Sequence, residues 1–396
     1  MRPRSDSLAV AALLTALVAI GPLSTDMYLP ALPALMRSFG GGVAPAQFTL
    51  SIFLIGFAFG QLLCGPLSDR FGRRPVLLGG MVLYAVASVG CALAADFQQL
   101  AAARLLQALG ACCGPVLGRA VVRDVYGREG AARMFAYMAM AMALAPAVAP
   151  MLGGVMTQWP GWRAIFLVLG LIGLALAAAV ALMLSETNSQ LSPDAVHPGR
   201  LLSNYLLLLG ERCYCGYLLC FAGVFSSLFA FISGSSFVLI DRFGLSPVGY
   251  GLSFGVVVLG YMIGSFVSGR LTVRRGIGPM ILAGLGITNA GGLLGLALAL
   301  AGVDSVPAIV GPMALVMIGA GLVLPNAMAG AIAPYGAMAG TASALVGFAQ
   351  MLLAALAGII IGQFGAAGAL PMMLGIALAN LLALLAYRAL AAPPRP

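Results

Sequence analysis

Charge is what this chain has least of. Only 8% of its 396 residues are charged while 62% are hydrophobic. A soluble domain carries roughly a quarter charged residues, so this chain cannot clothe a water-facing surface. Lysine is absent: all twenty basic residues are arginine. Without lysine there is no Gly-Lys-Ser/Thr phosphate loop, and ATP cannot power the protein directly. The one histidine, His197, lies in the longest polar stretch. That excludes a histidine relay or imidazole metal site within apolar segments, and leaves serines such as Ser24 and Ser233 with no base to activate them. With no histidine in an apolar segment and no clustered carboxylates, the chain is not expected to be an enzyme. Its seven cysteines fall mostly in apolar segments at spacings that suit neither zinc nor a secreted disulfide framework, and read as structural filler. No metal and no cofactor is expected.

What the chain does have is apolar runs from end to end, each able to cross a hydrocarbon core with ~20 residues. They predict an all-α integral membrane protein of twelve transmembrane helices in two six-helix halves. The spans are expected at 8–36, 47–67, 75–95, 98–122, 131–157 and 162–184, then at 212–240, 247–269, 277–300, 305–328, 335–363 and 367–390. The halves would be 1–184 and 212–396, joined by a cytoplasmic loop over 185–211 that carries His197. The first apolar run is too long for a signal-peptide core and is expected to stay as the first helix. Net charge is +9, yet the arginines sit in short loops, so they orient the chain rather than bind nucleic acid. With the N-terminus inside, fifteen fall on the cytoplasmic side and three (Arg37, Arg163, Arg242) opposite, placing both termini in the cytoplasm. Ser68-Asp69-Arg70 with Arg73-Arg74 and Ser268-Gly269-Arg270 with Arg274-Arg275 form a faint repeat after the second helix of each half, as expected for parallel halves.

The turn after the second span reads Gly65-Pro66-Leu67-Ser68-Asp69-Arg70-Phe71-Gly72-Arg73-Arg74. Glycines permit a tight turn, and Asp69 with Arg73 can form charge-assisted hydrogen bonds at the membrane boundary. This loop resembles the signature of the major facilitator superfamily. The resemblance implies a secondary transporter with a latch of Gly65, Asp69, Arg70, Gly72 and Arg73, to which Asp124 also contributes, stabilising the outward-open state. The alternative is a merely topogenic arginine cluster. Arg104-Leu105-Leu106-Gln107-Ala108 resembles a second superfamily motif whose arginine is tied to proton coupling; an arginine snorkelling to headgroups would look the same. Arg119, close to Arg123, reads as snorkelling, with substrate contact the less favoured alternative. Ala145-Pro146-Ala147-Val148-Ala149-Pro150-Met151-Leu152-Gly153-Gly154 resembles the antiporter motif, with alanines for its first two glycines. Pro146 and Pro150 would bend the fifth helix, while Gly153 and Gly154 would admit a neighbour, expected to be the eighth helix with Gly251, Gly255, Gly260 and Gly264.

Asp26 is the one carboxylate well inside an apolar span, where it can enter as the neutral acid and couple protonation to exchange; a solvated cap on a helix break is the alternative. Pro30 and Pro33 are expected to break the helix beyond it, and Arg104 to share its polar cluster. The phrase Asp26-Met27-Tyr28-Leu29-Pro30-Ala31-Leu32-Pro33, with Arg123-Asp124-Val125-Tyr126 and Pro325-Asn326-Ala327-Met328, resembles the Bcr/CflA drug-resistance exporters along nearly the whole chain. That resemblance implies efflux of small antibiotics, chloramphenicol- or bicyclomycin-like, against protons, from the bacterial inner membrane and by a monomer. Tyr28, Arg119, Phe225, Asn326 and Gln350 are candidate substrate contacts. The stripe Phe221, Phe225, Phe229 could instead face lipid. The rival readings are an exporter of a metabolite such as a sugar or nucleoside, and a transport-dead receptor.

Overall fold

The computed structural model describes residues 8–126, 128–188, 191, 198–364 and 368–391; His197 lies outside them. No strand occurs among the described residues, since a bilayer leaves no water for unpaired backbone groups. The helices are α1 Leu8–Asp26, α2 Leu32–Phe39, α3 Val43–Phe71, α4 Arg73–Leu93, α5 Phe97–Ala111, α6 Cys113–Val125, α7 Arg128–Gln158 and α8 Arg163–Met183, followed by α9 Pro198–Gly210, α10 Arg212–Ser236, α11 Pro247–Arg275, α12 Ile277–Leu300, α13 Val306–Ile332, α14 Ala339–Gln363 and α15 Ala369–Ala386. Among the described residues, eleven spans are long and apolar enough to cross a membrane, with α1–α2 and α5–α6 each forming one of them. The 31-residue α7 stands where the fifth span was expected. Val86, Leu93, Leu171 and Leu182 are exposed, the polarity that lipid rather than water calls for.

Proline accounts for the breaks in the first and fourth spans. The first helix ends at Asp26, and a 3₁₀ turn over Leu29–Ala31 carries Pro30 before α2 restarts with Pro33 in its first turn. The fourth span, expected as one helix, divides at Cys112, because Pro115 has no N–H to give to the preceding turn. The faint repeat has a structural counterpart: α3 and α11 both run 29 residues and both end on a glycine of positive φ, Gly72 at 99° and Gly276 at 82°.

The connector is not a plain polar loop. It holds α9, in which Leu202, Leu206 and Leu209 are exposed at i, i+4 and i+7. One apolar face on a helix too short to span fits the membrane interface. The signal lies in the leucines of a segment whose thirteen residues cannot cross a bilayer.

Candidate functional site

A cavity of about 420 Å³ lies between the first six spans and the later ones. Asp26 enters it from the end of α1, together with Arg119 of α6, Pro146 of α7, Phe225 of α10 and Gln350 of α14. Asp26 is only 4% exposed, and its Oδ1 accepts a hydrogen bond from Thr25 Oγ1 at 3.0 Å. The aromatic stripe faces this cavity, not lipid: Phe221, Phe225 and Phe229 all line it, with ring centroids 6.5 and 5.0 Å apart along the series. Arg119 points into the cavity as well, its Nε donating to Pro115 O at 2.8 Å. A place in the cavity lining with a bond back to the preceding turn, away from Arg123, is not the snorkelling arrangement expected from sequence. Gln61 joins the lining from α3; one polar residue in an apolar span is the available signal for it.

Arg104 does not pair with Asp26. It is fully buried, which excludes snorkelling, and its Nη1 donates to Gln107 Oε1 at 2.7 Å and to Ser24 O at 3.2 Å. The guanidinium lies over the rings of Phe53 at 4.1 Å and Tyr28 at 4.7 Å. Cation–π contact and carbonyl acceptors thus stabilise a cation to which no carboxylate among the described residues is paired. Gln107 passes the network on to Ser88 at 2.7 Å, and Ser24 shares a hydrogen bond with Tyr84. Arg104 therefore braces the segment that carries Asp26 from behind. Tyr28 belongs to this brace, hydrogen-bonded to Thr49, and is not a cavity contact. Asn326 is also elsewhere: it donates to Ser268 Oγ at 2.8 Å and accepts from Thr272 Oγ1 at 3.1 Å, tying α13 to α11.

The latch residues come together at one end of the bundle. Arg73 donates to Asp69 and Ser68 through Nη1 and to Asp124 Oδ2 at 3.1 Å through Nε. Glu186, which sequence reasoning missed, completes the cluster from beyond α8. Its carboxylate accepts from the backbone N–H of Arg73 at 2.8 Å and of Arg74 at 3.1 Å, an anion seated on the free N–H groups that open α4. Gly72 has room for no side chain here: a Cβ would meet that carboxylate, and its φ of 99° disfavours one anyway. Gly65 has open space around its Cβ position, inside α3, and Arg70 lies over the Phe71 ring at 5.2 Å without joining the bonds. Every partner in the cluster lies between Ser68 and Asn188, so it braces helices of one half to each other.

Partial desolvation pushes the Glu186 carboxyl up, but N–H bonds from Asn188, Arg73, Arg74 and Thr187 outweigh it and hold it below its ordinary value. A carboxylate depressed in this way adds stability above its unfolded-state pKa, and that stability is lost as pH falls through the folded value. Glu186→Gln should therefore lower thermal stability at neutral pH by about 0.5 kcal/mol, the low end because the group is solvent-screened. Melting curves of the two proteins should converge in acid; a gap independent of pH would remove Glu186 from this role.

The opposite end is closed. Arg37 pairs with Asp241 at 3.3 Å, and Gln47 Nε2 donates to Ser233 Oγ at 2.7 Å, both between the two halves of the sequence. The glycines of α7 seal the same end. A Cβ on Gly153 would collide with the Met27 carbonyl and one on Gly154 with the Pro247 carbonyl. Only part of the expected partner stripe takes part: Gly251 packs on Met151 and Pro150, while Gly260 and Gly264 pack on Ala314 and Ile318 of α13, and Gly255 has nothing near it. The α11 helix turns its small residues to two neighbours, which a one-dimensional pattern could not distinguish.

Comparison with known proteins identifies the family and the fold. The sequence profile of the Major Facilitator Superfamily matches residues 14–358. A chloramphenicol resistance protein of Pseudomonas aeruginosa is 37% identical over 303 residues, 76% of this chain and 71% of that protein. A bicyclomycin resistance protein homolog of Haemophilus influenzae is 29% identical over 272 residues, 69% of this chain and 68% of the other. The crystal structure of a bacterial homolog of the human lysosomal transporter Spinster, inward-facing and unoccupied, matches with a TM-score of 0.72 at 17% identity, covering 98% of both chains.

Proposed function

Because the chain belongs to the Major Facilitator Superfamily and is a multi-pass plasma-membrane transporter, not an enzyme, we propose that it exports small antibiotics in exchange for protons. The observation that carries the proposal is the meeting, in one cavity, of a buried carboxyl, Asp26, with a phenylalanine stripe. Stacked rings hold a flat or apolar drug by contact area. The carboxyl offers a site whose charge changes with the side it faces. The names of the two resistance relatives support the substrate class.

With the Asp69–Arg73 end in the cytoplasm, as the arginine bias implies, both termini are cytoplasmic. The cavity then extends inward from Asp26 to Arg119 and Ser343, and the closed end is outer: an inward-open state. Drug enters from the cytoplasm while Asp26 releases its proton inward. The halves rock, the outer seal at Arg37–Asp241 and Gly154 parts, and protonation of Asp26 from outside accompanies drug release. Arg104, already a buried cation, keeps the Asp26 segment in place through the cycle. The lining residues all come from one chain, which supports the reading of a functional monomer.

Efflux-deficient cells expressing the protein should accumulate less of neutral, chloramphenicol-like drugs than control cells, and a protonophore should erase the difference. No difference for any drug in a neutral and cationic panel, with surface expression verified, would overturn drug export in favour of a metabolite substrate.

A further inference from the structure

Three of the seven cysteines, two adjacent and the third 48 residues away, converge in space. Cys64 of α3 places its Sγ 3.3 Å from that of Cys112 and 3.1 Å from that of Cys113, at the break between α5 and α6. All three sulfurs lie within 4.8 Å of one another and are buried. The neighbours leave room for them: a Cβ on Gly60 would run into Cys112 Sγ, and one on Gly80 would press on Cys113 Sγ. Reading these cysteines as filler misses the cluster, because residues 64 and 112 belong to different spans. Leu109 O accepts from Cys112 Sγ at 3.1 Å and from Cys113 Sγ at 3.7 Å.

The geometry points to a site for a trivalent arsenic or antimony oxyacid, taken up as a neutral trithiolate. Soft sulfur ligands select thiophilic centres, and charge decides among them. Three thiolates around a divalent zinc leave a net anion, and around a monovalent copper a dianion, each costly among the apolar side chains here. Three thiols with a trihydroxy arsenic give no charge at all. Three As–O bonds break and three As–S bonds form; each thiol proton leaves with a hydroxyl as water, and nothing is oxidised or reduced. Spacing agrees: sulfurs around tetrahedral zinc at Zn–S ~2.3 Å stand ~3.8 Å apart, wider than the two separations here, whereas a pyramidal three-coordinate centre draws them closer. The route in is short. Gln61, one turn before Cys64, and Pro115, two residues after Cys113, both line the central cavity, through which a small neutral oxyacid can arrive.

The test uses the full-length protein in detergent with sodium arsenite as probe. Intact-protein mass spectrometry should show a gain of one arsenic less three hydrogens. Alkylation after unfolding should find Cys64, Cys112 and Cys113 protected and Cys91, Cys213, Cys215 and Cys220 reactive. Cys64→Ala should lose the adduct on desalting, while Cys213→Ala with Cys215→Ala should keep it. Protection mapped to Cys213 and Cys215, or no stable adduct on the wild type, overturns the site. Zinc or copper(I) protecting the three thiols where arsenite does not overturns the charge argument. The protection map needs no variant, so a misfolded substitution leaves the result readable.

Discussion

Asp26→Asn should leave the protein folded and inserted while reducing proton-driven efflux to the level of cells without the transporter. The substitution is close to isosteric, and an amide oxygen can still accept from Thr25 Oγ1, which now bonds Asp26 at 3.0 Å. What disappears is the ability to bind and release a proton inside the cavity. Without it, drug movement is uncoupled from the gradient, and only exchange of drug for drug down its own gradient remains. The measurement is drug accumulation in efflux-deficient cells under an imposed proton gradient, with surface expression matched. A variant that exports normally under that gradient would remove Asp26 from the coupling role. The Arg104 cluster predicts that the variant folds, because its bonds run to Ser24 O and Gln107 and none to the carboxyl.

The second large effect should come from Gly154→Leu. A side chain there must occupy the space of the Pro247 carbonyl, and backbone cannot swing aside as a flexible side chain can. Overpacking of this kind costs ~1–3 kcal/mol, enough to depopulate the closed outer end by about fivefold to a hundredfold, since each 1.4 kcal/mol is a factor of ten. Export should fall accordingly, with the helices themselves intact. Spin labels on cysteines placed at the exposed positions Gly42 and Val303, one in each half at that end, should give a longer, broader distance distribution in the variant. A Cβ at Gly42 meets nothing within 4 Å, so the label itself does not disturb the seal. An unchanged distribution together with normal export would show that α7 and α11 do not form the seal.

The spans are legible in the sequence, their edges to within seven residues, because a bilayer imposes one rule everywhere, namely ~20 apolar residues between polar turns. The break after Asp26 is equally legible, since Pro30 and Pro33 act on their own backbone. Residues that work through a partner are harder to read. Glu186 stands among other loop polar groups, and nothing local marks a carboxylate that caps α4 from some 110 residues away in sequence. Tyr28 and Asn326 resemble cavity contacts for being polar in apolar helices, a property shared by residues that merely tie helices together. Asp26 is correctly placed inside the span by its sequence, yet its expected companion Arg104 turns to the opposite side of α1.

By itself the sequence determined the class of the protein, the helices, and the chemistry on hand: one intramembrane carboxyl, the arginines Arg104 and Arg119 within an apolar span, no histidine in the membrane and no lysine. These follow from composition and short-range pattern, which constrain each segment alone. Only the tertiary structure decided which side chains meet. It put the phenylalanine stripe, Arg119 and Asp26 around one cavity, set Arg104 behind it, and gathered three cysteines at the break in the fourth span. Side-chain neighbours across helices depend on rotation about each axis and on where a proline interrupts it, and at 3.6 residues per turn a step of one residue turns a side chain by ~100°.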